Sequence, residues 1–201
     1  MKKFLVSTIF GITFTGAATA IITPFKNGKI DFESFGTIIE EQIKGGIDAI
    51  VVAGTTGEAA TLTHEEHCEC IDFVVRKVDG RVPVIAGTGS NDTAYAIELT
   101  RYACEVGADA MLLVTPYYNK TSQRGLIAHY EAVAAATDLP LILYNVPSRT
   151  GVNIQPATVA ELAKHPNIVA IKEASGNMAQ FMQIMRLCGD KIAVYSGEDA
   201  L

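Results

Sequence analysis

Seven short apolar runs punctuate the chain, at 18–23, 49–53, 82–86, 110–114, 139–144, 168–171 and 192–195. They are rich in Val, Ile and Leu and do not alternate with polar residues. That is the pattern of parallel strands buried on both faces. Amphipathic helical stretches lie between them. In 32–45, Phe35, Ile38, Ile39 and Ile43 share one helical face, and Gly45-Gly46 ends the stretch. Thr63 or the preceding turn can cap a helix that begins at His64. Asn91-Asp92-Thr93 opens the next, which ends near Gly107, and Pro156 stands in the first turn of another that Pro166 follows.

Successive runs are roughly 25 to 35 residues apart, the length of one βα unit. Right-handed crossovers curl such units into an open doubly wound sheet or a closed barrel. No Gly-x-Gly-x-x-Gly follows the first run, and polar residues recur after nearly every run rather than at one crevice. Both features favour an α/β fold of the TIM (β/α)8 barrel type, with its chemistry on the loops after the strands. Such a barrel typically needs about 250 residues, and this chain has 201 with seven runs. The expected architecture is a barrel truncated after the seventh strand, with unpaired edges and a core that is not closed. Residues 1–13 are read as an N-terminal extension and 14–201 as one incomplete barrel domain without an internal linker. Poor stability and little turnover are expected of 1–201 alone.

Composition narrows the class. With 49 % hydrophobic and 19 % charged residues, the chain is neither disordered nor collagen-like. Sixteen Lys and Arg against 22 Asp and Glu give a net charge of −6, and no basic run suits nucleic acid, where phosphate neutralisation dominates affinity. Cys68, Cys70, Cys104 and Cys188 form no Cys-x-x-Cys pair and read as reduced thiols of a cytoplasmic protein. Met1-Lys2-Lys3, an apolar run and Ala18-Thr19-Ala20 imitate a secretory signal. Cleavage after Ala20 would cut the first strand, read over 15–25, so the segment is taken as structure. No apolar run reaches the roughly 20 residues that span a membrane.

Candidate chemistry stands at the strand ends. Gly54-Thr55-Thr56-Gly57-Glu58 is either a plain turn or a cradle of backbone N–H groups for a carboxylate or phosphate. Gly87-Thr88-Gly89-Ser90 is neither a Walker A loop nor a dinucleotide fingerprint. Tyr117, Tyr118 and Tyr144 each suit packing as well as chemistry. Lys172 follows four apolar residues and is expensive to bury as a cation. Burial pushes such an amine toward its neutral, nucleophilic form, while the alternative is a pair with Glu173 at the rim. His64-Glu65-Glu66-His67 has its histidines three apart, not four, and reads as a solvated helix start; no metal is predicted.

Five motifs, specific as a set, carry a resemblance: Gly54-Thr55-Thr56-Gly57-Glu58, Pro116-Tyr117-Tyr118-Asn119, Tyr144-Asn145-Val146-Pro147-Ser148-Arg149-Thr150-Gly151, Ile171-Lys172-Glu173 and Ser196-Gly197-Glu198-Asp199. From Phe14 to Leu201 the chain resembles the dihydrodipicolinate synthase (4-hydroxy-tetrahydrodipicolinate synthase) family of pyruvate-dependent class I aldolases. The resemblance implies a lyase-type synthase of the diaminopimelate route to lysine, without a cofactor. It would condense pyruvate, held as a Schiff base on Lys172, with L-aspartate-4-semialdehyde. Tyr144 would move protons, linked through Thr55 to Tyr118, the last reaching in from a neighbouring subunit of a homo-oligomer that is a dimer of dimers. Thr56 and Gly197 would contact pyruvate, and Arg149 would meet the carboxylate of the aldehyde. A lysine-effector site would be built from His64, His67, Asn91 and Tyr117. Tyr95 stands there where lysine-sensitive relatives carry a glutamate, which argues against feedback inhibition. The family's eighth βα unit and C-terminal helical segment have no counterpart in 14–201. Rival readings are N-acetylneuraminate lyase, a 2-keto-3-deoxy-sugar-acid aldolase, or an inactive fragment of such a barrel. Arg149 and Thr55-Thr56 favour the synthase.

Overall fold

The computed structural model describes residues 14–198. The 1–13 extension and Asp199 of the fifth motif lie outside the described residues. Seven parallel strands follow one another in chain order: β1 (Ala18–Ala20), β4 (Ala49–Val52), β5 (Val84–Gly87), β6 (Ala110–Val114), β7 (Leu141–Asn145), β8 (Ile168–Glu173) and β9 (Ala193–Ser196). A small antiparallel hairpin, β2 (Phe25–Lys26) and β3 (Lys29–Ile30), forms a separate two-stranded sheet between β1 and the first helix. Helices α1 (Phe32–Lys44), α2 (His64–Val78), α3 (Thr93–Val106), α4 (Gln123–Ala134), α5 (Pro147–Thr150), α6 (Pro156–Leu162) and α7 (Met178–Cys188) complete the βα units. Among the described residues no helix is long and apolar enough to cross a membrane.

Strand alternation sorts the apolar residues into two cores. Val51, Ile85, Leu112, Ile142, Tyr144 and Ala170 face inward, inside the curve of the sheet. Val52, Ala86, Met111, Leu113, Leu143 and Ile171 face outward, under Phe35, Ile39, Ile71, Val74 and Leu126 of the helices. This double-faced burial explains why the strands read as continuous apolar runs. β1 and β9 end the strand order, yet their neighbourhoods meet. Phe14 stacks on Tyr195 with ring centroids 4.5 Å apart, and the Tyr195 hydroxyl donates to the Phe14 carbonyl at 2.9 Å.

Helix starts obey the local signals. Thr63 and Glu66 form a reciprocal capping box at α2 (2.9 and 3.2 Å), and Asp92 accepts from the Ala94 amide at α3. Several strand limits differ from the sequence reading. The first strand pairs with β4 only over Ala18–Ala20, not as far as residue 23. Thr23 instead turns its hydroxyl to the Gly57 carbonyl (2.8 Å), and the chain leaves the sheet for the hairpin. Strands expected at 82–86 and 139–144 begin two residues later, after Pro83 and Pro140, which have no N–H for the ladder.

Candidate active site

The loop after β4 is shaped before any ligand is considered. Ala53 and Glu58, on either side of the Gly54–Gly57 turn, both have positive φ (51° and 57°). The Glu58 amide donates to the Thr55 carbonyl and the Ala59 amide to the Gly54 carbonyl. A Cβ on Gly87 would lie 2.1 Å from the Ala53 carbonyl oxygen. Only glycine on β5 lets the strained Ala53 peptide sit there. The turn carries Thr55 and Thr56 at its exposed crest.

Below that crest opens a cavity of about 380 Å³, lined by Thr55, His67, Tyr95, Tyr117, Tyr144 and Arg149 among others. Tyr144, at the end of β7, is only 7 % exposed. Parallel register places it beside Lys172 of β8, and Lys172 Nζ lies 4.6 Å from the centre of the Tyr144 ring. Burial raises the Tyr144 phenol above its ordinary range, while the Thr55 hydroxyl and the Arg149 guanidinium each pull it partly back. Arg149 is delivered by α5, one turn started by Pro147 and closed by Gly151 in a left-handed conformation. Gly197, just past β9, faces the Lys172 stem: a Cβ there would stand 2.8 Å from Lys172 Cε.

The structure therefore brings Thr55, Tyr144, Arg149, Lys172 and Gly197 to one end of the sheet. It does not bring Tyr118 to them: that side chain is 89 % exposed, on a residue with φ of 73°. The four residues assigned to an effector site divide as well. His67 is buried and donates from Nε2 to the Gly87 carbonyl (2.8 Å), and burial lowers its pKa. His64 is exposed against Tyr95 (centroids 5.7 Å) and Glu98 (3.8 Å). The Asn91 carbonyl accepts from the Asn119 side chain at 3.2 Å, and Tyr117 lines the cavity.

One alternative is corrected. Glu173 is not at the rim beside Lys172; it is buried, on the other face of β8. Its carboxylate accepts from the Ser175 amide (2.8 Å), from Asn145 Nδ2 (3.0 Å) and from Gln180 Nε2 (3.3 Å). The sequence pattern gave no role to Asn145, Asn153 or Gln180, whose amides complete this network.

Comparison with known proteins agrees with the geometry. The model of the dihydrodipicolinate synthetase family matches residues 13–201. The chain belongs to that family. It is 60 % identical to the 4-hydroxy-tetrahydrodipicolinate synthase of Geobacter metallireducens over 186 residues, which are 92 % of this chain and 64 % of the relative. Among solved structures, dihydrodipicolinate synthase from Aquifex aeolicus superposes with a TM-score of 0.91 at 50 % identity, over 92 % of this chain and 64 % of the other. The chloride-inhibited dihydrodipicolinate synthase from Acinetobacter baumannii, complexed with pyruvate, gives 0.89 at 51 %, with the same coverage. The chain thus spans about 64 % of the length of the curated relatives it matches. Its seven strands are a family barrel's α/β arrangement, retained in order.

Proposed function

We propose that residues 14–201 carry the catalytic part of a 4-hydroxy-tetrahydrodipicolinate synthase, which joins pyruvate to L-aspartate-4-semialdehyde. The observation that carries this reading is the Lys172 nitrogen 4.6 Å from the ring of Tyr144, which lines a cavity together with Thr55 and Arg149. The Lys172 amine attacks the ketone carbon of pyruvate. The carbonyl oxygen leaves as water, taking two protons, and a C=N bond replaces C=O. The imine acidifies the adjacent methyl group, which loses a proton to give an enamine, and the enamine carbon attacks the aldehyde.

Tyr144 donates and recovers protons in these steps. Its raised pKa keeps it a neutral donor, and the Thr55 hydroxyl offers the path by which its proton is shared. Thr56, on the same turn, and Gly197 serve the pyruvate carboxylate end. Arg149 offers a planar two-point fork to the carboxylate of the aldehyde, which a polyol aldehyde lacks. That preference, together with the names of the relatives, favours the synthase over the sugar-acid aldolases. The exposed Tyr118 suits a residue that completes the site of a neighbouring subunit, as a dimer of dimers would need. Four free thiols fit a cytoplasmic setting. At the effector position Tyr95 provides a phenol, not a carboxylate, against an ammonium ligand, so weak or no feedback by lysine is expected.

Incubation with pyruvate and borohydride, followed by mass spectrometry of peptides, tests the reading. An adduct on Lys172 is the result the imine requires, and it overturns the reading of 1–201 as an inactive fragment; no adduct even in a chain of the relatives' full length refutes the imine. Turnover with aspartate-semialdehyde but not with sugar aldehydes separates the synthase from its rivals, and the opposite preference refutes the substrate assignment.

A further inference from the structure

Behind the reactive pair, on the outer face of the same two strands, three polar side chains are almost fully removed from solvent: Asn145 (0 % exposed), Glu173 (5 %) and Gln180 (6 %). Asn145 Nδ2 donates to both Glu173 carboxylate oxygens (3.2 and 3.0 Å) and to Asn153 Oδ1 (2.8 Å). Asn145 Oδ1 accepts from the Ile154 amide at 2.9 Å. Gln180, in the first turn of α7, donates to Glu173 and Asn153 and accepts from Asn153 Nδ2. Every donor that meets the carboxylate in this network is neutral, so good geometry has to offset its desolvation.

The location gives the network its meaning. Tyr144 pairs with Lys172 in the β7–β8 register, and the next pair is Asn145 with Glu173. The register between these strands shifts at Leu141/Ile142, at the far end of the same ladder. At the site end it is held by the Asn145–Glu173 bonds and by the Ala174 amide on the Asn145 carbonyl (2.8 Å). A slip of one residue would turn Lys172 to the wrong face.

We propose that Glu173, Asn145 and Gln180 are positioning residues, a buried clamp that holds the two strand ends so that the Lys172 amine meets the carbonyl carbon beside Tyr144. The proposal rests on the imine reading of Lys172, but it can be tested apart from it. Competitive acetylation of the chain with limiting acetic anhydride, across pH, reads the reactivity of Lys172 against the exposed Lys44. Pyruvate–borohydride trapping reads the same amine in chemistry. Glu173→Gln sets amide donors against amide donors, and Asn145→Asp sets two carboxylates together. Glu173→Gln with Asn145→Asp exchanges the partners and restores a donor–acceptor pair.

Each single variant is expected to shift the Lys172 acetylation profile and to slow trapping about tenfold, with recovery to within about threefold in the double variant. Folded single variants with unchanged acetylation and trapping overturn the clamp, as does a folded double variant that stays as slow as the singles. If the single variants do not fold, the double variant decides by the same recovery. If it also fails, Gln180→Ala removes one donor and leaves the Asn145–Glu173 bonds; a shifted Lys172 profile supports the clamp and an unchanged one overturns it. If even a chain of the relatives' full length traps no pyruvate while Lys172 acetylation still responds to these variants, the imine reading fails and the clamp stands.

Discussion

A methyl group added at position 197 would strike the reactive side chain itself. Built on the existing backbone, it stands 2.8 Å from Lys172 Cε, 3.0 Å from Lys172 Cγ and 3.0 Å from Ala174 Cβ, where ordinary contacts begin at 3.4 Å. The Gly197 amide donates to the Glu173 carbonyl at 2.8 Å, which keeps position 197 from backing away. The softest element is the lysine stem, and relieving the overlap moves it by about 0.6 Å. Misplacement of a reacting group by about 1 Å costs up to about a hundredfold in rate, so Gly197→Ala is expected to slow imine formation by about tenfold, or about 1.4 kcal/mol. The assay is the initial rate of borohydride-trapped adduct at several pyruvate concentrations, with circular dichroism and a melting curve to verify the fold. A folded variant that traps pyruvate within twofold of the parent rate refutes the reasoning.

Gly36 provides the contrasting case. It lies inside α1, and a Cβ there meets Lys77 Cε at 3.4 Å and Phe73 Cζ at 3.6 Å, both ordinary contacts, so Gly36→Ala should raise unfolding stability by about 0.5 to 1 kcal/mol without changing adduct formation. Thr63→Ala removes one half of the α2 capping box and should cost about 1 kcal/mol in urea unfolding, with Thr63→Ser retaining most of it. Burial lowers the pKa of both His67 and His129. The native state therefore binds fewer protons than the unfolded chain, and their contribution is present above the unfolded value near 6.5 and lost as pH falls below it. Stability should fall by up to about 1.4 kcal/mol per pH unit for each histidine on that limb. His129→Gln should halve the slope in unfolding titrations from pH 7 to pH 5, and an unchanged slope refutes the assignment.

What was legible in the chain follows from how local each cause is. The cap at Thr63 and the helix start at Asn91-Asp92-Thr93 need only neighbouring residues, and both are found in the fold, the second with Asp92 as its cap. Strand positions were legible because both faces of the sheet are covered, so apolar residues run on without a break. Proline then trimmed two strands by a rule that applies to single residues. The hairpin at Phe25–Ile30 falls outside the apolar pattern, although Asn27-Gly28 supplies its signal: both residues have positive φ (55° and 74°), as a tight two-residue turn demands. The Glu173 clamp left no such local mark. Asn145, Asn153, Glu173 and Gln180 come from two strand ends, a loop and a helix, and only the fold brings them together. A polar residue after an apolar run predicts that a strand has ended, but not which face the side chain takes. For Lys172 and Glu173, adjacent in sequence and opposite in space, that difference separates the reacting group from its support.

The two faces also divide the electrostatic work. On the inner face Tyr144 is raised by burial, with Thr55 and Arg149 partly offsetting the rise. A phenol that has just given up its proton is costly there, and the same two groups reduce that cost. Arg149 is held in place by a four-residue helix whose Thr150 hydroxyl donates to Val146 and Val152 carbonyls (3.2 and 3.0 Å), so the guanidinium can act on Tyr144 without being buried itself. Replacing Arg149 by Lys keeps a positive charge but loses the planar fork, whereas Met loses both. If Arg149 serves the phenol through charge, Arg149→Lys retains the rate of imine formation and loses affinity only for the aldehyde carboxylate. Arg149→Met slows both steps and moves the alkaline limb of the imine rate upward, because a Tyr144 without its cation ionises at higher pH. An imine rate left unchanged in both variants would assign Arg149 to the aldehyde alone and leave Thr55 as the group that supports the Tyr144 proton.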